Sequence, residues 1–288
     1  MNMIPQPLAE QPSFGPRDIS RTIGRLAVRA LYTELALYPK PGLVSPIDNG
    51  AHDDMTMTTF MRSLFSLRCY FPQIALAGGA TSEFPELRKL GLGAEHRMMV
   101  ATRGVNTHRG AIFNLGLLSA AAGYHVSNHL RIDANAVCMT VANLWGKDIL
   151  IDEPVDSHGS RALARHGGGG ARQQAASGYA VLRDVALPAF QDALVKGATR
   201  NSAALQTFFA IMAVLNDTNI LHRAGRDGLD YAQGQSRAFL SSGGVFAPDH
   251  LARATDLHRT FCTRRISPGG AADLLSCTLF LHDLEVMS

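Results

Sequence analysis

From Asp18 to Tyr38 the chain reads D-I-S-R-T-I-G-R-L-A-V-R-A-L-Y-T-E-L-A-L-Y, and Pro39-Lys40-Pro41-Gly42 follows. Ile19, Ile23, Leu26, Ala30, Leu31 and Leu35 recur at spacings of three and four, which marks a helix with one buried face. Pro39 ends it, because a prolyl residue offers no N–H and its ring crowds the preceding turn.

The same periodicity predicts a second helix from about Met57 to Leu76, with Phe60, Leu64, Leu67 and Phe71 on one face. Further helices are expected near 85–102, 110–123, 133–145, 171–185, 202–215, 229–240, 248–261 and 270–284. Alternating runs rich in Val, Ile and Thr are almost absent, so strands have little support. The expectation is an all-α fold: one globular multi-helix domain of roughly ten or more helices over residues 17–288, behind a loose arm at 1–16. Glycine pairs such as Gly78-Gly79, Gly243-Gly244 and Gly269-Gly270 are expected at helix ends. Ala- and Gly-rich helices also suggest close packing and are compatible with a homodimer.

Composition narrows the class further. The 288 residues are 46% hydrophobic and 18% charged, enough for a substantial core. A net charge of +3, with no Lys/Arg run longer than two, does not imply nucleic acid. No apolar run approaches the roughly 20 residues that cross a bilayer. Residues 1–16 lack the basic start and apolar stretch of a signal peptide. Cys69, Cys138, Cys262 and Cys277 form no C-x-x-C pair and stand in apolar helical contexts, as reduced core residues of a cytoplasmic protein would.

Polar, glycine-flanked islands interrupt the helices. Glu34, Lys40, Ser45 and His52-Asp53-Asp54 form the first, beside a turn stiffened by two prolines. His52-Asp53-Asp54 suits a divalent metal or a cap for the helix near Thr56, and for Asp53 the cap is favoured. In the second, Asn106 or Thr107 can cap a helix whose N–H groups would receive an anion. His108 and Arg109 add a donor or proton carrier and a fixed cation. The third, His166-Gly-Gly-Gly-Gly170-Ala-Arg172, offers many backbone donors but no Gly-Lys-Ser/Thr ending. Asn216-Asp217-Thr218-Asn219 reads as a turn, a metal ligand or a general base. Ser267-Pro268-Gly269-Gly270 reads as a helix start, with Asp273 in a first turn where the dipole favours it.

Taken in order, these islands resemble the triphosphoribosyl-dephospho-CoA synthase family, most closely its malonate decarboxylase branch. The matching pieces are E-L-A-L-Y-P-K-P-G-L-V-S-P from Glu34, G-A-H-D-D-M from Gly50 and G-V-N-T-H-R-G-A-I-F from Gly104. They continue with R-H-G-G-G-G-A-R from Arg165, N-D-T-N-I-L-H-R from Asn216, G-G-V-F-A-P-D-H-L from Gly243 and R-R-I-S-P-G-G-A-A-D-L-L from Arg264. The resemblance implies that the ribose 2'-hydroxyl of 3'-dephospho-CoA attacks C1' of ATP and adenine leaves, with Mg²⁺ on the triphosphate. The product would pass to a phosphoribosyl-dephospho-CoA transferase acting on an acyl-carrier protein. Asp217, Glu34 and His108 are the catalytic candidates, with Asp217 as base or stabiliser and Glu34 with Asp54 nearer the metal. Lys40, Ser45, Asn106, Thr107, Arg109, His166, Arg172, Asn216 and Ser267 are the candidates for holding nucleotide.

Two departures accompany the resemblance. Gln174 stands where the family's pattern carries an acid, and the pattern points to Asp54 rather than Asp53. Two rivals compete. A helical metal phosphohydrolase would use His52, Asp53, His108, His166 and Asp217 and release phosphate. A non-catalytic helical partner of a decarboxylase complex would need no ATP.

Overall fold

The computed structural model describes residues 15–80, 83–151 and 170–287. His166 and most of the loose arm therefore lie outside the described residues. The helices are α1 Pro16–Ala36, α2 Met57–Leu67, α3 Tyr70–Ala80, α4 Phe84–Ala101, α5 Arg109–Ser127 and α6 Ala134–Ile151. Then come α7 Ala171–Ala176, a π-helical turn Leu182–Ala186, α8 Leu187–Val195, α9 Arg200–Val214 and α10 Thr218–Ser241. A 3₁₀ turn Gly244–Phe246, α11 His250–Thr263 and α12 Gly269–Met287 complete the order, with no strand among the described residues. The all-α expectation is met.

Helix α1 forms as its spacing predicts, with Pro16 at its first position, so residue 16 belongs to the helix and not to the arm. It ends where the Leu37 N–H donates to the Glu34 carbonyl. Helices α5 and α12 are buried around almost their whole circumference. A helix surrounded by neighbours has no solvent face and so carries no amphipathic stripe.

Small residues set the distance between the central helices. A Cβ on Gly78 of α3 would lie 2.2 Å from the Ala120 carbonyl oxygen of α5, and one on Gly123 of α5 would lie 1.9 Å from that of Ala75 in α3. The Tyr70 hydroxyl donates to the Ile112 carbonyl at 3.0 Å and fills the notch that Gly116 leaves. The Gly78-Gly79 pair, in the last turn of α3, is also a packing surface. These small-residue faces are used within the chain.

Three predicted helices are divided differently. The one over 57–76 breaks between Leu67 and Tyr70. Pro72 stands in the first turn of α3, where its ring would collide with the carbonyl four residues back had the helix continued. Cys69 lies in this break and is exposed, unlike the buried Cys138 and Cys277. The helix over 171–185 is interrupted by Gly178 and Tyr179, both at positive φ, and resumes through a π turn ahead of Pro188. Helix α10 starts at Thr218, about a dozen residues earlier than its apolar pattern, and is kinked at Gly225 (φ 66°). Asp217 caps it.

Asp283 of α12, nearly buried, receives Arg29 of α1 and Arg200 of α9, each at 2.8 Å. This tie holds the far end of α12, while its N-terminus meets those of α5 and α10 beside the end of α1. Among the described residues no single helix is long and apolar enough to cross a membrane.

Gly123→Ala is expected to cost about 3 kcal/mol, because the methyl group meets backbone and not a movable side chain. Gly234→Ala, on α10 with nothing within 4 Å of the new Cβ, should gain about 0.5–1 kcal/mol. Urea midpoints measure both, and equal midpoints would contradict the close α3–α5 contact.

Candidate active site

The loop from Leu37 to Thr56 is folded tightly against α11 and the connection that follows it. Gly42 adopts φ +73° with its Cα against the Ile266 carbonyl, where a Cβ would lie 2.0 Å from the oxygen, so only glycine fits. His258 of α11 meets the Lys40 carbonyl through Nδ1 (2.9 Å) and the Asp48 carboxylate through Nε2 (3.0 Å). Lys40 is thereby carried into the interior, 1% exposed, with Nζ 2.5 Å from both the carbonyl and the Oε1 of buried Glu34. Burial lowers its pKa and the Glu34 charge opposes that shift. The ammonium assigned to triphosphate is engaged by Glu34, one helical turn from the end of α1.

At the start of α5, the Asn106 Oδ1 accepts the Arg109 N–H (3.3 Å), and His108 is the N-cap residue. His108 is 3% exposed and its Nδ1 lies 2.6 Å from the Ser63 Oγ of α2. Among the described residues its Nε2 and the neighbouring Thr107 Oγ1 are buried without a partner. Burial, and secondarily Lys40, push the His108 pKa down to about 3. Arg109 is paired with Glu95 of α4 and is not a free cation.

Two carboxylates meet these groups from the other side. Asp217, 2% exposed, caps α10 by accepting the Asn219 and Ile220 N–H groups on Oδ1 and also takes the Ala271 N–H of α12 on Oδ2 (2.9 Å). Burial raises its pKa to about 6 although four backbone N–H groups oppose the shift. Asp273 reaches α5: it accepts the Ala111 N–H, and a Cβ on Gly110 would lie 1.9 Å from its Oδ2. Burial, then the nearby Glu34 and Asp217 charges, hold its carboxyl well above the usual range. Glu34, Lys40, His108, Asp217 and Asp273 therefore form one interior cluster where three helix N-termini and the end of α1 converge. Such termini suit an anion, and carboxylates with separated pKa values suit acid and base roles.

The other predicted residues are placed differently. The Ser45 Oγ accepts the Ile47 and Asp48 N–H groups and closes the loop turn. Ser267 is buried, and its hydroxyl is spent on the His52 Nε2 (2.8 Å) instead of capping α12. Burial first, then Arg223, pulls the His52 pKa down to about 4. Asp53 and Asp54 are exposed, at 95% and 63%, in a shallow charged depression with Arg223 and Arg265. Asp53 does not cap α2; Thr56 does, accepting the Thr59 N–H, because a β-hydroxyl directly at the N-cap reaches that donor. Arg172 donates to the Ile149 carbonyl (2.9 Å) and covers the Phe113 ring. Asn216 is exposed, and among the described residues the Gln174 Oε1 is buried without a partner.

Among the described residues no group of three or more His, Cys, Asp or Glu is arranged to hold a metal. Sequence reasoning passed over Asp273, whose helix-start motif accounted for it as a dipole partner. It also passed over Ser63 and Glu95, for which no local signal exists.

The Asp217 shift has a measurable sign. Its folded pKa of about 6 exceeds the ordinary 3.8, so the folded state binds this proton more tightly. The resulting stabilisation is complete below about pH 4 and is lost as pH rises towards 6, at about 1.4 kcal/mol per unit. Urea unfolding of wild type and Asp217→Asn should show their stability difference falling across that window and flat above it. A difference independent of pH would mean that Asp217 titrates normally.

No solved structure matches the chain. Its sequence is 38% identical over 273 residues to a probable 2-(5''-triphosphoribosyl)-3'-dephosphocoenzyme-A synthase of Acinetobacter calcoaceticus, covering 93% of this chain and 94% of that one. A protein of Escherichia fergusonii with the same name, without "probable", is 37% identical, covering 91% and 90%. A probable synthase of Vibrio cholerae serotype O1 (strain M66-2) is 36% identical, covering 98% and 95%. The ATP:dephospho-CoA triphosphoribosyl transferase model matches residues 20–288, which include every element of the cluster, and the chain is an enzyme belonging to that family.

Proposed function

We propose that this enzyme joins ATP to 3'-dephospho-CoA. The ribose 2'-hydroxyl oxygen of dephospho-CoA attacks C1' of the ATP ribose. The C1'–O bond forms, the C1'–N9 bond breaks, a carboxylate takes the hydroxyl proton and adenine leaves protonated. The observation that carries this reading is the interior cluster, which provides what a displacement at a cationic sugar requires. Asp217, ionised at neutral pH, stabilises the developing positive charge. Asp273 retains a proton and supplies it to adenine. Glu34, paired with Lys40, is the base. The unspent Thr107 and His108 groups at the head of α5 receive phosphate oxygens.

Mg²⁺ is part of the proposal and would neutralise triphosphate charge. The donors present fit an ion that arrives with the nucleotide and keeps its waters, and they do not fit a dedicated protein cage. Asp54 is the accessible carboxylate for it; Glu34, already bonded to Lys40, is the poorer ligand. The malonate decarboxylase branch, with delivery of the product to a phosphoribosyl-dephospho-CoA transferase for an acyl-carrier protein, is supported by the motif resemblance. Four unpaired cysteines favour a reducing, cytoplasmic setting.

Incubation with ATP, Mg²⁺ and 3'-dephospho-CoA should release adenine and no phosphate, as read by chromatography, and EDTA should stop it. Intact ATP would overturn the reading, and phosphate without adenine would return the hydrolase alternative. Glu34→Gln, Asp217→Asn and Asp273→Asn should each lower kcat by about 10²- to 10⁴-fold with the helical circular dichroism retained. Full activity in any one of them would remove that residue from the chemistry. For Asp217, asparagine is the informative replacement, since alanine would also orphan the N–H groups of two helices.

A further inference from the structure

We propose that Ser63 fixes His108 as the Nε2–H tautomer, so that His108 serves the reaction as a hydrogen-bond donor to a phosphate oxygen and not as a proton carrier. This rests on the reaction proposed above.

The argument begins with a proton count. Ser63 is fully buried, and its Oγ lies 2.6 Å from the His108 Nδ1. If Nδ1 carried the proton, it would donate to Oγ, leaving both the serine hydroxyl proton and the Nε2 lone pair without partners. If Ser63 donates to an unprotonated Nδ1, the only group left over is the Nε2–H. Buried polar groups are rarely orphaned, so the second arrangement is favoured. Among the described residues the remaining N–H is itself buried without a partner, which is what a donor awaiting a ligand looks like.

The surroundings keep a second proton off the ring. The edge-on Phe60 ring (5.0 Å, 87°) supplies an apolar wall. As the N-cap residue of α5, His108 lies at the positive end of the helix dipole. Burial disfavours the charged ring, and the Lys40 charge adds to the effect. A neutral imidazole held in this way donates through N–H without exchanging its proton during the reaction.

Two experiments on the full chain test this. In ¹⁵N-labelled protein without substrate, the His108 ring is assigned by its loss in His108→Gln. Nδ1 should be unprotonated and Nε2 protonated, unchanged from pH 8 to 5. Ser63→Ala should mix the tautomers and lower kcat about tenfold, and Ser63→Thr, which keeps the hydroxyl, should restore both. A protonated Nδ1 in wild type overturns the proposal. In the adenine assay, His108→Gln places an amide N–H near the Nε2 position and should remain within about tenfold of wild type, whereas His108→Ala should lose about 10²- to 10³-fold. If the glutamine variant is as inactive as alanine and a limb of the pH profile disappears, His108 moves a proton and the proposal fails. Should the wild type release no adenine, the reaction falls, while the ring spectra still decide the tautomer.

Discussion

One carboxylate joins two helices at their positive ends. Asp217 accepts backbone N–H groups from the first turn of α10 on one oxygen and from the first turn of α12 on the other. Helix N-termini otherwise repel one another, since each carries a partial positive charge. A buried anion between them allows both to end at the same place. Asp273, carried by α12 just past its first turn, reaches the head of α5 and accepts the Ala111 N–H. The interior cluster exists because these two side chains draw three N-termini together.

That arrangement has an energetic consequence. Carboxylates gathered in a buried space repel, and only Lys40 opposes them from within the cluster. Burial raises the proton affinity of both Asp217 and Asp273, and at Asp273 the Glu34 and Asp217 charges add to it. Around this region the packing is stiff: α5 is fixed to α3 by backbone contacts through Gly78 and Gly123, and the loop bearing Lys40 is fixed through Gly42 and His258. A scaffold with little freedom to relax can hold groups in positions they would otherwise leave. The site is preorganised by helices, with flexible side chains contributing little.

Much of this was legible in sequence, and the failures have physical causes. Helix α1 was readable to within two residues because one of its faces meets solvent. The break at Arg68-Cys69 was missed because the apolar spacing continues across it; the steric demand of Pro72 outweighs the pattern. The start of α10 was missed because its first turns are polar and are held by the Asp217 cap instead of by apolar burial. Arg109 looked like a free cation since nothing local reveals Glu95, which comes from the preceding helix. Lys40 looked aimed at phosphate, while the fold of its loop turns it onto Glu34.

By itself the sequence determined the helical class, most of the helix positions and the set of polar islands, because these depend on periodicity, capping and breakers within a few residues. The ordered motifs also identified the family. Tertiary structure alone decided which islands meet. Glu34 and Lys40 of one island meet His108, Asp217 and Asp273 from three others, while Asp54 and Asn216 are exposed and Arg172 is turned onto the Ile149 carbonyl. The reason is that side-chain partners and proton affinities follow from burial and from charges a few ångströms away in space, which neighbours along the chain do not specify.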